Sequence, residues 1–418
     1  MNDKICSADP RRPVLTRRSL LKAALASAAA PYVLSASALG ADGRPAPSNR
    51  LAMASVGIGG QGGGDLSSAL SFSEVQVVAA CDVDKAMRDR AKTKVDQKYG
   101  NTDCADVNDF REVVTRPDID IILCATPDHW HALISIEAMK NSKDVYCEKP
   151  ETLTVREGRQ MVETARRYGR VFSGGSQRVW NDYNWFHRMV RGGAIGDLKE
   201  VWVNVGGPSE EIALPAQPVP EGLDWDLWLG PAPWRPYNKA LHPYSWRPHR
   251  DFSGGQMTNW GAHGFGGALF ACNLHETGPV EIIPPDGKDN KQLTYVFANG
   301  VRLYHGGGWG GMLSFKGAKG EIPDRDKAKA KAAAPNIDIP NYKGKGGIFG
   351  DFIHCVKTRE RPFRDIEIAH RTVSVCHRGN IAYGLNRPVK WDPGNEEISG
   401  DPEAGRWLDR PKRAPWRI

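Results

Sequence analysis

The chain has 418 residues, of which 40% are hydrophobic and 25% charged, a balance typical of a globular protein with room for two domains. Its formal net charge is +7, but residues 1–38 contain six Lys or Arg and two Asp, so their removal lowers the charge by four, to +3. A nearly neutral body gives no electrostatic reason to expect nucleic acid as a partner.

The first 38 residues resemble a signal for export by the twin-arginine (Tat) pathway. Arg17 and Arg18 precede a weakly apolar run over 23–30, and small residues at 36–38 form a cleavage motif. Because the run is too short to span a bilayer, we predict a Tat signal and no membrane anchor, followed by a linker over 39–50. The predicted mature protein is periplasmic or otherwise exported, and the Tat machinery is a predicted partner.

Residues 51–172 alternate short apolar runs with helix-like patterns. Runs of this length suit the buried strands of a parallel sheet, and the intervening helices supply right-handed crossovers. The rhythm predicts an α/β Rossmann domain with strands at 51–56, 75–81, 119–124 and 144–147 and helices at 65–70, 85–99 and 131–140.

The pattern changes after residue 172. Residues 173–385 predict an α+β domain with a large open, mostly antiparallel sheet, because their strand-like runs have turn-rich connections. Segment 208–248, crowded with Pro and Trp, predicts a long ordered loop, and 321–345 predicts a solvated excursion. Residues 386–418 are predicted as a C-terminal tail. The predicted strands lie at 201–205, 280–283, 293–297 and 301–304, and the predicted helices at 349–358 and 366–383.

The cysteines and the paired histidines give no indication of a metal. No cysteine after residue 38 forms a CxxC pair or a Cys/His spacing suited to zinc. Cys81, Cys124 and Cys147 each end an apolar run, so we expect buried free thiols in strands. His129 and His131, two residues apart at a helix start, do not share a face. We therefore predict no metal site.

A glycine-rich turn follows the first predicted strand. Gly57, Gly59 and Gly62 meet the GxGxxG spacing, with Gly60 and Gln61 between them. In a strand–turn–helix context these glycines let the backbone approach a pyrophosphate, and the helix N-terminus offers free N–H groups. The turn predicts a dinucleotide-binding loop.

Asp82 closes the second predicted strand, 20 residues after Gly62. A carboxylate here accepts hydrogen bonds from the ribose hydroxyls and repels the 2′-phosphate of NADP, so NAD is the predicted cofactor. Lys85 and Arg88 keep NADP open as the second choice, because a basic neighbour can accommodate that phosphate.

Two further motifs resemble one oxidoreductase family. Residues 126–131 (TPDHWH) and 148–150 (EKP) follow the third and fourth predicted strands and are similar to the two signatures of the Gfo/Idh/MocA oxidoreductases. The resemblance continues through 175–178, 222–231 and 254–263 and points to the branch whose members often carry Tat signals. It covers nearly all of the chain after the signal.

The family resemblance implies roles for several residues near the cofactor. Lys149 is the first catalytic candidate, because its ammonium can polarise or deprotonate a reacting hydroxyl. The residues implied to line the cofactor groove or to lie beside the nicotinamide are Thr126, Pro127, His131, Glu148, Lys149 and Gln177.

His263 is the second catalytic candidate, since its family counterpart projects towards the substrate and serves as acid or base. Around it the chain departs from the family. Asn259 stands where relatives usually have Asp, and Gly264 and Gly266 fall within the branch's usual His-His-x-Asp. Asn259 can hydrogen-bond but cannot hold a proton. The groups that would build a metal site in this cluster are missing.

The family's substrates are mostly sugars and their derivatives, so the resemblance implies a sugar or glycoside as small-molecule partner. Asn259 and Trp260 are expected to line the substrate pocket, and Arg178 and Tyr183 are further candidates because they follow the Gln177 motif. The other tryptophans of this region could stack on sugars but are predicted as core or loop anchors.

The resemblance implies hydride transfer at a ring hydroxyl of the sugar. Because little free NAD is available outside the cytoplasm, an exported enzyme is expected to hold its cofactor tightly and recycle it. A redox-neutral reaction, either glycoside cleavage or epimerisation, stays open, as does a sugar-binding or sensing protein that keeps NAD as a structural part. The family also implies a homo-oligomer, a dimer or tetramer, joined through the open face of the second sheet.

Overall fold

The computed structural model describes residues 45–309, 311–322 and 327–418. Residues 51–418 form one compact unit, and before it Pro47–Asn49 make a 3-10 turn. The predicted Tat signal and most of the predicted linker lie outside the described residues. None of the described helices is long and apolar enough to cross a membrane.

The first half of this compact unit is a Rossmann domain, which confirms the predicted fold. Its strands are β1 (Leu51–Val56), β2 (Val75–Cys81), β3 (Ala105–Val107), β4 (Ile121–Cys124), β5 (Asp144–Cys147) and β6 (Phe172–Gly174). Its helices are α1 (Gly60–Ala69), α2 (Lys85–Tyr99), α3 (Phe110–Val114), α4 (Asp128–Lys140) and α5 (Val155–Arg167). The six strands are parallel, in the order β3-β2-β1-β4-β5-β6.

Burial on both faces explains why these strands are continuous apolar runs. β4 and β5 are buried along their whole length. Cys81, Cys124 and Cys147 are buried free thiols at the ends of β2, β4 and β5, as predicted.

The carboxyl ends of the strands meet at one edge of the sheet. The register pairs Val56 with Cys81 and Cys124, and Cys147 with Cys124 and Gly174. In a doubly wound sheet ligands bind outside this edge, where the strand order reverses. The turns that begin at this edge are those at Gly57, Asp82, Ala125, Glu148 and Gly175.

The second half is built on a mixed, mostly antiparallel sheet, which confirms the predicted α+β domain. Its strands are β7 (Leu198–Val203), β8 (Glu281–Ile283), β9 (Leu293–Val296), β10 (Arg302–His305), β11 (Leu313–Gly317), β12 (Gly320–Ile322), β13 (Val389–Asp392) and β14 (Glu397–Ile398). The order is β12-β11-β7-β10-β9-β8-β13-β14, with β7 and β10 parallel.

Helices cover this sheet and connect it to the Rossmann domain. They are α6 (Arg178–Asn181), α7 (Asn184–Arg191), α8 (Trp225–Leu229), α9 (Gln256–Asn259), α10 (Gly261–Ala271), α11 (Lys327–Ala333), α12 (Gly347–Thr358), α13 (Ile366–Leu385) and α14 (Pro402–Gly405), with a 3-10 turn at Arg406–Leu408. Every residue of α10 is buried, and the helix packs against α13, α7 and α6. This packing fixes the helix that carries His263.

The two halves divide slightly differently from the prediction. β6 ends at Gly174, so the Rossmann sheet continues past the expected boundary at 172. The expected tail over 386–418 is part of the second domain, because β13 pairs with β8 in its sheet. The strand β13 has only four residues and is flanked by Pro and Gly. It is too short to produce a clear alternation of apolar and polar residues in the sequence.

Helix α1 begins at Gly60, five residues before the predicted start. Its first turn contains three of the glycines at 60–64, whose low helix propensity hides the helix in the sequence pattern. The segment 321–345, predicted as a solvated excursion, includes the end of β12 and the helix α11.

The segment over 208–248 is a long, largely irregular connection held by its aromatic residues. Trp225 and Trp228 stack with ring centroids 4.6 Å apart, and Tyr237, Trp246 and Phe252 complete a buried cluster. These tryptophans are therefore loop anchors, as predicted.

Candidate active site

The turn between β1 and α1 depends on glycine at two positions. Gly57 has a φ of +81°, and a Cβ there would lie 2.6 Å from the amide nitrogen of Thr126. A Cβ on Gly62 would lie 2.1 Å from the carbonyl oxygen of Gly57. At Gly59, by contrast, a Cβ would meet no protein atom within 4 Å, so that face of the backbone is open to a ligand.

The N-terminus of α1 is suited to bind an anion. Its N-cap is Gly59, and no side chain caps the helix there. The first N–H groups of a helix have no intrahelical acceptor and carry its positive dipole end. The turn and the helix end together fit the pyrophosphate of a dinucleotide.

A cavity of about 190 Å³ runs along this turn. It is walled on the opposite side by Tyr244 and Arg247, from the long connection of the second domain. The predicted cofactor residues that line it are Gly57, Gly59, Gly60, Gln61, Asp82, Thr126 and Pro127.

Asp82 is positioned by two backbone amides. Its Oδ2 accepts from the amide of Ile58 at 2.6 Å and its Oδ1 from the amide of Asp84 at 3.0 Å. The two basic residues that kept NADP open are engaged elsewhere: Lys85 pairs with Asp89 at 2.7 Å and Arg88 with Asp106 at 2.6 Å.

The buried His131 ring connects the motif at 126–131 to the motif at 148–150. Its Nδ1 lies 2.7 Å from the carbonyl oxygen of Pro150 and its Nε2 lies 2.8 Å from that of Thr126. Desolvation lowers its pKa to about 4, so the ring is neutral at pH 7 and can donate to one carbonyl at a time. Because His131 is buried beneath the two turns, its direct contact with a cofactor stays a prediction.

Lys149 and Asn259 connect the two domains at the sheet edge. The Lys149 Nζ donates to the Oδ1 of Asn259 at 2.9 Å, and the Asn259 Nδ2 donates to the Oε1 of Gln256 at 3.0 Å. The amide oxygen holds the ammonium without neutralising it. The structure therefore brings the first catalytic candidate to the residue that replaces the family's Asp.

Three carboxyl groups with raised pKa values surround Lys149. Burial raises the pKa of Asp65 to about 6, that of Asp128 to about 7 and that of Glu148 to about 8, and Lys149 opposes each shift by its charge. Asp65 accepts a hydrogen bond from the Nε2 of Gln61 at 2.9 Å. Groups that change charge near neutral pH are concentrated at functional sites.

Asp65 and Asp128 are site residues that the sequence patterns did not predict. Asp65 stands four residues after Gln61, on the same face of α1, and this spacing was the available signal. Asp128 stands within the 126–131 motif but is also a favourable residue for a helix N-terminus, which conceals a second role.

His263 lies on α10 with 3% of its surface exposed. Burial lowers its pKa well below the usual value, and the charges of Lys149, Arg178 and Arg364 lower it further. Its ring lies edge-on to Trp260, with centroids 5.9 Å apart, and the Arg178 guanidinium lies 5.1 Å from the Trp260 centroid. At pH 7 the imidazole is therefore in its neutral, proton-accepting form, and its surroundings make it a weak base.

The remaining candidate site residues differ in exposure and in contacts. Trp260 is 37% exposed, so its face is open beside His263. Gln177 carries a buried Oε1 without a hydrogen-bond partner among the described residues. Tyr183 is packed in the core of the second domain, where its hydroxyl contacts the sulfur of Met312 at 2.8 Å. That position favours a packing role for Tyr183 over substrate contact.

One group in the described part of the chain has the composition of a metal site. Cys124, His131 and Cys147 place their ligand atoms within 4.8 Å of one another. Both ring nitrogens of His131 already lie at carbonyl oxygens, so the imidazole has no free nitrogen to offer. The predicted absence of a metal stays a prediction.

The fold and the site define a class: a Rossmann oxidoreductase whose cofactor edge faces a second, open-sheet domain. Residues 51–176 match the Gfo/Idh/MocA "Oxidoreductase family, NAD-binding Rossmann fold". Residues 196–418, more than half of the chain, match that family's "C-terminal alpha/beta domain". The chain therefore belongs to the Gfo/Idh/MocA family of NAD-binding oxidoreductases.

Curated relatives are similar over a limited region. A glycosyl hydrolase family 109 protein of Shewanella woodyi is 31% identical over 147 residues, 34% of this chain and 32% of that protein. An alpha-N-acetylgalactosaminidase of Shewanella oneidensis is 36% identical over 115 residues, 27% of this chain and 25% of that protein. The chain thus spans about a third or a quarter of the length of these relatives.

Solved structures share the fold over most of the chain. The aldose-aldose oxidoreductase of Caulobacter crescentus superposes with a TM-score of 0.56 at 19% identity, covering 82% of this chain and 99% of that one. The scyllo-inositol dehydrogenase of Lactobacillus casei, solved with NAD(H) and scyllo-inositol, gives a TM-score of 0.56 at 14% identity over 82% and 99% of the chains. At these identities the likeness shows the fold alone.

Proposed function

We propose that this protein oxidises a ring hydroxyl of a sugar or sugar derivative by hydride transfer, with a tightly held NAD that is recycled within the site. The hydrogen bond between Lys149 and Asn259 carries the proposal, because it holds an ammonium where the cofactor edge meets the second domain. An ammonium or amine in this place can polarise a hydroxyl or take its proton.

A candidate residue can be named for each step that the protein itself must perform. NAD, when bound, supplies a hydride acceptor for the ring carbon. Lys149 orients the hydroxyl and exchanges its proton, while Asn259 fixes the position of the Nζ. Oxidation of the hydroxyl releases only this one proton, and His263, neutral at pH 7 and close to Trp260, is the second candidate to accept it, on the side of the second domain. Trp260 offers an open aromatic face to the sugar ring.

The choice of NAD over NADP rests on Asp82 and on the engagement of its basic neighbours. The Asp82 carboxylate lines the cofactor cavity, where it would repel a 2′-phosphate. Since Lys85 and Arg88 pair with Asp89 and Asp106, neither is available to neutralise that phosphate without losing an ion pair.

The buried carboxyl groups favour a site that keeps its protons between two half-reactions. Asp65, Asp128 and Glu148 have pKa values between about 6 and about 8, so each can hold or release a proton near pH 7. A recycled cofactor needs the hydride and the proton to return to the product before release. Groups of this kind can store the proton without exchange with solvent.

A second candidate function is redox-neutral cleavage of a glycoside. Oxidation of a ring hydroxyl acidifies the neighbouring C–H, which permits elimination of a group one carbon further on before the hydride returns. The similarity to a glycosyl hydrolase family 109 protein, at 31% identity over 147 residues, favours this candidate over epimerisation.

The decisive experiment starts from the nucleotide that the purified protein carries. The protein is denatured and the released nucleotide is identified. We expect NAD or NADH in an amount close to one mole per mole of protein. The folded protein is then mixed with free sugars and with glycosides while the absorbance of reduced nicotinamide is followed. Protein that is free of nucleotide and turns over soluble NAD with a sugar would overturn the recycled-cofactor proposal.

The same experiment separates the candidates. Release of an aglycone without net change in nicotinamide indicates glycoside cleavage, and a new ketone or a second reduced sugar indicates oxidoreduction. Lys149→Ala should abolish either reaction. If Lys149→Ala changes no reaction on this panel while sugars still bind, the protein is a sugar-binding or sensing protein that keeps NAD as a structural part.

Export by the Tat pathway is a separate proposal that rests on the sequence of residues 1–38. The paired arginines, the short apolar run and the cleavage motif support it. Replacement of Arg17 and Arg18 by Lys should keep the protein in the cytoplasm, and fractionation of expressing cells measures this. Unchanged export of the double variant would refute the Tat route.

We also propose that the open face of the second sheet joins two copies of the chain. Trp202 stacks on Tyr304, with centroids 5.3 Å apart, and contacts Trp309 at 4.6 Å, so half-buried aromatic rings lie on this face. Large aromatic side chains are enriched at protein interfaces. Light scattering should report a dimer or tetramer that Trp202→Glu dissociates.

A further inference from the structure

Behind the candidate site, two fully buried charged side chains approach each other without a direct hydrogen bond. Glu151 and Arg364 are both 0% exposed. Neither carboxylate oxygen of Glu151 has a partner among the described residues, and the same holds for Nε and Nη1 of Arg364. Each is the strongest charge acting on the other.

The backbone of β6 places both groups. The Glu151 Oε1 lies against Gly174, so closely that a Cβ there would come within 2.1 Å of it. The amide of Gly174 donates to the carbonyl oxygen of Arg364 at 2.9 Å. Gly174 thus has the Glu151 carboxylate on one side and the Arg364 backbone on the other.

The arginine side chain continues from β6 to the helix of His263. Its Nη2 donates to the Oγ1 of Thr372 at 3.3 Å and lies 3.5 Å from where a Cβ on Gly266 would stand. Gly266 is three residues after His263 on α10, so both positions share one face of the helix. The guanidinium therefore lies one helical turn from the imidazole.

Further unpartnered polar groups lie close to Gly174 in the chain. Ser173, Ser176 and Gln177 each have a buried side-chain oxygen without a partner among the described residues, and the Nδ1 of His263 is likewise buried without one. Leaving an ionised group buried and unsatisfied costs several kcal/mol. Glu151 and Arg364 are therefore each other's main compensation for burial.

We propose that Arg364, with Glu151 as its counter-ion, is a positioning residue whose buried charge beside α10 controls the protonation of His263. The inference rests on the proposed function, in which His263 handles a proton. It extends that function to two residues that do not touch the substrate.

The charged and titratable groups that face His263 come from several elements. Lys149 follows β5, Arg178 begins α6 and Arg364 precedes α13, and each of them disfavours the imidazolium. Cys376 on α13 and His187 on α7 also pack against α10, and burial keeps both neutral. Among the three cations Arg364 alone is fully buried, so solvent screens its charge least.

The test measures the protonation of His263 directly, by NMR of the full chain with labelled histidine. The wild-type ring should titrate well below the pH range of an exposed histidine. Arg364→Met should raise the midpoint by about one pH unit, because a nearby cation is lost. Adding Glu151→Gln to this variant should change the midpoint little, because a buried Glu151 without its counter-ion is itself neutral.

Two controls keep the proposal open to refutation. Arg364→Lys retains the charge and should leave the midpoint near that of the wild type. Glu151→Gln alone, which keeps the side-chain shape, should not raise it. An unchanged midpoint in Arg364→Met, or a midpoint in Arg364→Lys that rises as far as in Arg364→Met, would overturn the proposal.

The readout does not depend on the reaction. If Arg364→Met does not fold, Arg364→Lys is compared with Glu151→Gln instead. We expect the His263 midpoint to be no higher in Glu151→Gln than in Arg364→Lys. A higher midpoint in Glu151→Gln would contradict the proposal. If the His263 midpoints behave as expected but no sugar reacts, the charge pair stands and the proposed function fails.

Discussion

Lys149 and Asn259 form the hydrogen bond that joins the cofactor edge to the second domain, with 2.9 Å between Nζ and Oδ1. An amide oxygen binds the ammonium without compensating its charge. Asn259→Asp should therefore stabilise the protonated lysine and move the rate of hydroxyl oxidation to higher pH. The pH profile of single-turnover nicotinamide reduction measures this shift.

Asn259→Leu serves as its control, because it removes the hydrogen bond without adding charge. We expect a rate about tenfold to a hundredfold lower with an unmoved profile. If the pH profile moves equally in Asn259→Asp and Asn259→Leu, the position of the Lys149 Nζ, and not the charge of residue 259, determines the pH dependence.

Gly62→Ala should disrupt the dinucleotide turn. A Cβ there would lie 2.1 Å from the carbonyl oxygen of Gly57, so the turn must open, and both thermal stability and nucleotide content should fall. Gly64→Ala is the matched control, since a Cβ at that position meets nothing within 4 Å. We expect this variant to retain NAD and to gain slightly in stability through its higher helix propensity. Thermal melts and analysis of the released nucleotide distinguish the two outcomes.

Asp82→Ser should relax the preference for NAD. Loss of the carboxylate removes the repulsion of the 2′-phosphate, so the ratio of the NADP to NAD dissociation constants should fall at least about tenfold in nucleotide-stripped protein. Asp89→Ala, which releases Lys85 but leaves Asp82 in place, is the control. If Asp89→Ala shifts the ratio as much as Asp82→Ser, the lysine and not the carboxylate decides the cofactor.

Asp128 should make the stability of the protein depend on pH. Its pKa is raised to about 7 by burial, so the neutral form is favoured in the folded state. That contribution is complete below the unfolded pKa near 4 and is lost as the pH rises through about 7, up to about 4 kcal/mol for a shift of this size. Asp128→Asn removes the titration, so its stability should fall less than that of the wild type over this range.

Chemical denaturation at several pH values measures the effect, with Glu221→Gln as a control at an exposed position. A wild-type stability that rises relative to Asp128→Asn between about pH 5 and pH 7 would contradict the buried neutral carboxyl.

Trp260 and Tyr183 should behave differently as substrate-contact candidates. Trp260 is 37% exposed next to His263, so Trp260→Ala should raise KM for the sugar. The Tyr183 hydroxyl contacts Met312 in the core, so Tyr183→Phe should leave KM unchanged within error. A raised KM in Tyr183→Phe would restore this residue to the substrate pocket.

Local features of the sequence were sufficient for the Rossmann half. β1, the turn at Gly57, and Asp82 lie within about 30 residues of one another, and the chemistry of each is evident from its neighbours. The signatures at 126–131 and 148–150 added the family. The strands of the second sheet were predicted only in part, because short strands such as β13 have too few residues to show a period.

The sequence by itself determined the fold class, the dinucleotide turn and the family, since these depend on residues close together in the chain. Only the tertiary structure decided the electrostatics of the site. Asp65, Asp128 and Glu148 acquire raised pKa values through burial, a property of the packed molecule. Likewise Glu151 and Arg364 are 213 positions apart, and only the tertiary fold brings the Glu151 carboxylate and the Arg364 backbone to opposite sides of Gly174.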